Sequence, residues 1–302
     1  MSGAQFAIIG VPSSAGARLV GQEGAPSALR AAGLVSSLTD LGFGVIDHGD
    51  LARVESRPDP KNPRARNAGL VGRVARDVAA KVEAASGSGA LPVILGGDCS
   101  ITIGVLAGLL AQGSSLGLLY FDGDLDLNTP DTTPSGAFDG MVTAHILGRG
   151  DSQLARIGPR YPLLQESHVA YFGYNESAGA IDPPELLALE RSAALRYPVE
   201  AIREDPRATA REALSTLESR VERILVHFDL DVTDVPAVDV EHPNALPLDT
   251  AALILEIFLG SPKCAGLVVT ELNVRLDADG SQARRVANRL VQALASARSR
   301  AT

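Results

Sequence analysis

Acidic residues recur in three tight groups, Asp122-Gly123-Asp124-Leu125-Asp126, Asp229-Leu230-Asp231 and Glu271-Leu272-Asn273, and a fourth group, Gly96-Gly97-Asp98-Cys99-Ser100, adds a thiol. Each group directly follows an apolar, β-branched run. If those runs are neighbouring parallel strands, their carboxyl ends deliver at least five carboxylates to one crevice. Like charges about 4 Å apart repel there by several kcal/mol unless cations intervene. A pair of divalent metal ions is the simplest resolution. Asp also caps helices and turns, but capping does not call for a DxDxD and a DxD together. An empty site is the alternative, with some carboxylates protonated or paired with a basic side chain.

The elements that must position these groups are legible as apolar runs at Phe6 to Val11, Gly44 to Asp47, Leu91 to Leu95, Leu116 to Phe121, Val169 to Phe172, Ile224 to Phe228 and Gly266 to Thr270. Between them lie Ala/Leu-rich stretches with charges at helical spacing, such as Ala25 to Leu41, Ala68 to Ala85, Ile101 to Gln112 and Gln282 to Arg298. That alternation predicts an α/β fold with a parallel sheet and helices burying both of its faces. Polar or Pro-rich stretches at Glu55 to Asn67, Thr129 to Gly136 and Val232 to Leu248 read as loops. An eight-stranded barrel is the rival architecture, because both folds gather active residues at strand carboxyl ends.

The 302 residues are 45% hydrophobic and 21% charged, enough for a sizeable buried core. A formal charge of -9 argues against nucleic acid, which requires a basic surface. With two cysteines, no long apolar run and no basic, apolar leader, the expectation is a reducing, cytoplasmic location and no membrane span.

With Asp122, Asp124, Asp126, Asp229 and Asp231 joined by Glu271, the chain resembles the ureohydrolase superfamily, the arginases, agmatinases and formimidoylglutamases. The likeness begins at Ile9-Gly10-Val11-Pro12 and Gly24-Ala25-Pro26. It includes Asp126-Leu127-Asn128-Thr129-Pro130 leading into Pro134-Ser135-Gly136, and it covers nearly the whole chain, so a single domain over residues 1–302 is expected. The resemblance implies a three-layer α/β/α sandwich around a mostly parallel sheet and assembly as a homo-oligomer, a trimer or hexamer. It also implies a divalent metal cofactor of one or two ions, manganese first, and a small guanidino or amidino substrate whose C–N bond is hydrolysed. Asp122 and Asp229 match carboxylates that bridge both metals, Asp126 a ligand of the first and Asp231 one of the second. Glu271 matches the acid that pairs with the guanidinium, as a planar cation with forked donors requires. Asn128 and Ser135 match positions that hold the α-amino-acid end.

Three family histidines are replaced. The family's GGDHS reads GGDCS, its DAHxD reads Asp122-Gly123-Asp124-Leu125-Asp126, and the histidine before Gly140 is Asp139. Cys99 and Asp124 thereby stand at metal-ligand positions and Asp139 at that of a proton shuttle, which makes Asp139, Glu271 and Asp126 the catalytic group. Five carboxylates and a potential thiolate outweigh the four charges of two divalent ions, which weakens the acidification of a bound water. A thiolate favours Zn²⁺ or Fe²⁺ at the first site, whereas an all-oxygen second site favours Mg²⁺, Ca²⁺ or Mn²⁺. The acids expected after Gly173 are not cleanly present in Tyr174-Asn175-Glu176-Ser177, which argues against arginine itself as substrate.

Cys99 reads as a metal ligand, a nucleophile or a small buried residue, and Cys264 as packing. His227, two residues before Asp229, points to the same strand face and reads as a partner of the ligands or as a structural histidine. His48, His168 and His242 show no partners in sequence. The leading expectation is a divergent metal-dependent hydrolase of a guanidino or amidino compound with an amino-acid-like end. Its rival is a metal-free pseudoenzyme on the same scaffold, acting as a structural subunit or ligand-binding protein.

Overall fold

The computed structural model describes residues 5–87, 89–150, 152–177 and 181–299. Eight strands, β1 (Phe6–Gly10), β2 (Val45–Asp50), β3 (Leu91–Leu95), β4 (Leu116–Phe121), β5 (Val169–Phe172), β6 (Leu195–Tyr197), β7 (Arg223–Asp229) and β8 (Cys264–Thr270), form one sheet in the order β2-β1-β3-β8-β7-β4-β5-β6. Every pairing is parallel. The sheet is open, with β2 and β6 at its edges, so the sandwich and not the barrel is the architecture.

The helices are α1 (Ala25–Ala31), α2 (Leu34–Asp40), α3 (Ala68–Ser86), α4 (Ile101–Leu110), α5 (Val142–Ile146), α6 (Ser152–Ala155), α7 (Pro183–Glu190), α8 (Val199–Glu204), α9 (Pro206–Glu218), α10 (Leu248–Leu259) and α11 (Ser281–Ser299). Strand alternation sends Leu119 and Phe121 of β4 into one core with α1, α2 and α8 to α11, and Leu118 and Tyr120 into the other with α3 to α7. Burying each large apolar side chain contributes about 1.5–3 kcal/mol. The β-branched runs are therefore continuous, because no face of the central strands meets water.

Two elements differ from the sequence expectation. The stretch Ala25 to Leu41 is two helices, broken at Gly33, whose φ of 90° is left-handed backbone that glycine adopts without strain. The three-residue β6 is an edge strand too short to register as an apolar run. No helix among the described residues is long and apolar enough to cross a membrane.

For the site, the decisive consequence is the order β3-β8-β7-β4 at the centre of the sheet. It sets the carboxyl ends that precede Cys99, Glu271, Asp229 and Asp122 side by side.

Candidate metal centre and substrate cleft

Cys99, Asp122, Asp124, Asp126, Asp139, Asp229, Asp231 and Glu271 all line one cavity of about 30 Å³, room for a couple of ions or water molecules. Backbone amides shape the inner ring. Asp122 Oδ1 accepts from Asp124 N at 2.7 Å, Asp229 Oδ1 from Asp231 N at 2.8 Å, and Asp231 Oδ1 from Gly123 N at 3.0 Å. Asp122 and Asp231 are thus each held by one oxygen, with Asp122 Oδ2 left without a partner among the described residues, whereas Asp229 Oδ2 also accepts from Cys99 Sγ at 2.5 Å and Thr270 Oγ1 at 3.3 Å. Asp98 takes no part in the ring, because its carboxylate accepts from Gly16 N and Ser100 N and ties the loop after β3 to the loop after β1.

The donor atoms fall into two clusters, each with all its ligand atoms within 4.8 Å: Cys99, Asp122, His227 and Asp229, and Asp124, Asp231 and His242. His227 lies on β7 with Nδ1 2.8 Å from Thr102 Oγ1 of α4 and its ring stacked on Tyr120, centroids 4.3 Å apart. Its Nε2 is 3.3 Å from Asp122 Oδ2 and 3.6 Å from Cys99 Sγ. Burial depresses its basicity to a pKa of about 3, so the imidazole is neutral and the contact with Asp122 is not an ion pair. His242 sits in the loop after β7, pinned by Leu246 N to Val232 O and Asp234 N to Leu246 O, both 2.8 Å. Its Nε2 lies 3.4 Å from Asp124 Oδ2 and 3.6 Å from Asp231 Oδ2. Burial opposes its charge, but those two carboxylates prevail and push its pKa up to about 10.

Asp126 lines the cavity yet belongs to neither cluster; its Oδ2 accepts from the Tyr120 hydroxyl, and its backbone is left-handed, φ 51°. Glu271 is also left-handed, φ 68°; its Oε1 accepts from Cys99 N at 2.9 Å and its Oε2 from Gln22 Nε2 at 3.1 Å. One lone pair on each oxygen is left for a ligand. Burial, then mutual repulsion, raises Asp122, Asp229 and Glu271 well above the usual carboxylate range. For Asp126 burial and Asp124 act in the same direction, and burial with Asp229 raises the Cys99 thiol. Asp139 accepts from Arg18 N and Gly140 N; burial outweighs the Arg18 charge and lifts its pKa to about 7.

An adjoining cleft of about 380 Å³ is lined by Arg18, Asn128, Asp182, Glu185 and His242. Asn128 donates to Asp182 Oδ2 at 2.9 Å, and Glu185 Oε1 accepts from Leu127 N at 2.7 Å. Two acids that line this cleft, Asp182 and Glu185, thus stand at the start of α7, further along the chain than Tyr174-Asn175-Glu176-Ser177. Ser135 lines neither cavity; its Oγ accepts from Ala137 N within its own loop. Sequence reasoning also missed His242, which sits in an irregular loop where no periodicity betrays a direction, and Tyr120 and Gln22, whose roles depend on tertiary contacts.

A model of the arginase family matches residues 4–296. The chain belongs to the arginase family. It is 30% identical over 278 residues to an arginase of Bacillus caldovelox, covering 90% of this chain and 92% of that relative. It is likewise 30% identical over 294 residues to arginase-1 of Rattus norvegicus, covering 94% of this chain and 89% of that protein. The solved native structure of the Bacillus caldovelox arginase superimposes with a TM-score of 0.88 at 28% identity, over 96% of this chain and 98% of that one. The arginase-family scaffold is thus retained across a cavity whose donor set includes a thiol and two histidines that the sequence likeness does not account for.

Proposed function

We propose that this chain is a metal-dependent hydrolase of a guanidino or amidino C–N bond in a small substrate with an amino-acid-like end. The observation that carries the reading is the convergence of buried carboxylates on one small cavity, with Asp122 Oδ2 and His242 Nε2 lacking any well-aligned hydrogen bond among the described residues. Buried polar atoms without partners are costly unless a further group satisfies them. The donor set fits divalent cations: carboxylates, an imidazole in each cluster and one thiol. Such ions, when bound, would lower the pKa of a water and so supply the nucleophile, less strongly at this anionic donor set than at a site with fewer carboxylates.

The protein's own groups supply the rest. Glu271 is held rigidly by Cys99 N and Gln22 and directs two lone pairs at a planar cation. Asp139, which lines the cavity with its carboxylate fixed by Arg18 N and Gly140 N, is placed to pass a proton to the departing amine and to be recharged from solvent. In the cleft, the Arg18 guanidinium complements a carboxylate, while Asp182 and Glu185 complement an ammonium. That zwitterionic pattern supports an α-amino-acid end on the substrate.

The test is a turnover assay of Mn²⁺- or Co²⁺-loaded protein against guanidino and amidino compounds with and without an α-amino-acid end, with Glu271→Gln as control. The expected result is product release that falls at least about 100-fold in the variant, the scale of losing a charge-bearing group from a catalytic site. Loaded protein that turns over none of them would leave a binding or structural role instead.

A further inference from the structure

We infer that His227 and His242, neither of which stands at a histidine position of the family's motifs, are the imidazole ligands of two unlike metal sites: Cys99, Asp122, His227 and Asp229 in one, and Asp124, Asp231 and His242 in the other. This assignment rests on the metal-dependent reading above and adds to it the ligands and the difference between the sites.

The first support is spacing. A tetrahedron with bonds of about 2.0–2.3 Å has edges of about 3.3–3.8 Å. His227 Nε2 lies 3.3 Å from Asp122 Oδ2 and 3.6 Å from Cys99 Sγ. His242 Nε2 lies 3.4 Å from Asp124 Oδ2 and 3.6 Å from Asp231 Oδ2. These four separations match those between ligands of one ion, whereas Cys99 Sγ donates to Asp229 Oδ2 at 2.5 Å, a thiol contact that an ion seated between them would open. Asp122 is 1% exposed and the His242 side chain 3% exposed, yet Asp122 Oδ2 and His242 Nε2 have no hydrogen-bond partner among the described residues.

The second support is orientation. With Nδ1–H of His227 donating to Thr102 Oγ1, its Nε2 presents a lone pair to the cavity. His242 is accommodated by a gap in the backbone opposite: a Cβ on Gly123 would come within 2.4 Å of His242 Cδ2 and 2.8 Å of Nε2. The family's DAHxD carries alanine at that position. Glycine at 123 thus leaves the space that the imidazole from the loop after β7 occupies.

The third support is charge and donor type. Asp124 and Asp231 neutralise one divalent ion, and His242 adds a neutral donor, a set suited to Mn²⁺. Cys99 thiolate with Asp122 and Asp229 overcompensates by one charge, and thiolate with imidazole suits Zn²⁺, Co²⁺ or Fe²⁺.

The experiment is a Co²⁺ titration of the metal-free protein, read by calorimetry and by the thiolate-to-cobalt charge-transfer absorption in the near ultraviolet. The variants are His227→Gln, His242→Ala and Gly123→Ala, the last of which keeps every donor and only fills the space His242 occupies. The wild type is expected to bind two ions, one with the thiolate band. His242→Ala and Gly123→Ala should weaken the ion without the band by at least about tenfold and retain the band, and His227→Gln should weaken the band-bearing ion by a similar factor. Two ions bound with wild-type affinity in all three variants would overturn the assignment while leaving metal dependence intact. A wild type that binds no Co²⁺ would overturn both.

Discussion

Tyr120 lies parallel to His227, ring planes 11° apart and centroids 4.3 Å apart, and its hydroxyl donates to the buried carboxylate of Asp126. One side chain thus braces both an imidazole facing the cavity and a carboxylate lining it. Tyr120→Phe keeps the stacking and removes the donor, so a buried carboxyl group is left short of a partner. The expected loss is about 1–3 kcal/mol of stability, read from the denaturant midpoint of the metal-free protein. Tyr120→Leu should lose about a further 0.5–1.5 kcal/mol with the stacking.

Stability of the metal-free protein should fall as pH rises from about 6.5 to 8, above the window of about 3 to 6.5 in which the buried, neutral His227 acts in the opposite sense. Asp139 and Glu185 titrate in the folded state at about 7 and about 8, above their ordinary values of 3.8 and 4.5. In that window the folded chain holds protons that the unfolded chain has released, so raising the pH favours unfolding. His242 acts in the same sense: its pairing stabilises below 6.5 and is lost as pH rises through about 10. Thermal midpoints across this range, with and without a divalent ion, check the sign. The ion should flatten the slope by stabilising the ionised carboxylates.

The cleft makes a separate prediction about the substrate's amino end. Burial and the Asp124 charge raise Glu185 to about 8, so an arriving ammonium must take it up as a carboxylate. KM for substrates with an α-amino group should therefore fall as pH approaches 8. Glu185→Gln should raise that KM by about tenfold, equivalent to about 1.4 kcal/mol of uniform binding. Compounds lacking the amino group should be unaffected. Steady-state kinetics on paired compounds that differ only in this group separates the two cases.

Central strands such as β3, β4 and β7 were legible because burial on both faces forces continuous apolar runs, and the acids were legible because they directly follow those runs. A three-residue edge strand carries no such pattern, so β6 was not. The helical pattern of Ala25 to Leu41 passes through Gly33 without interruption, and only the left-handed backbone there separates α1 from α2. At the site, Cys99 and five aspartates were found by their position at strand ends. His242, Asp182 and Glu185 were not, because irregular segments bring them in and a loop of unknown course fixes no direction for a side chain. Ser135 lies in such a segment as well: it lines neither cavity, and its hydroxyl accepts from Ala137 N. Gly123 carried the one local hint of His242, since a missing Cβ beside a lost histidine marks space for another group.

The most direct test of the central claim is elemental analysis of the purified protein after equilibration with Mn²⁺ and Zn²⁺ and exhaustive dialysis, alongside Asp229→Asn. Asp229 is 1% exposed, its Oδ1 bonded to Asp231 N and its Oδ2 facing Cys99, so its charge belongs to the heart of the first cluster. Close to two retained ions per chain, falling by at least one in the variant, is the predicted result. Retention of no ion, or equal retention in both proteins, would contradict a metal-dependent hydrolase built on these carboxylates.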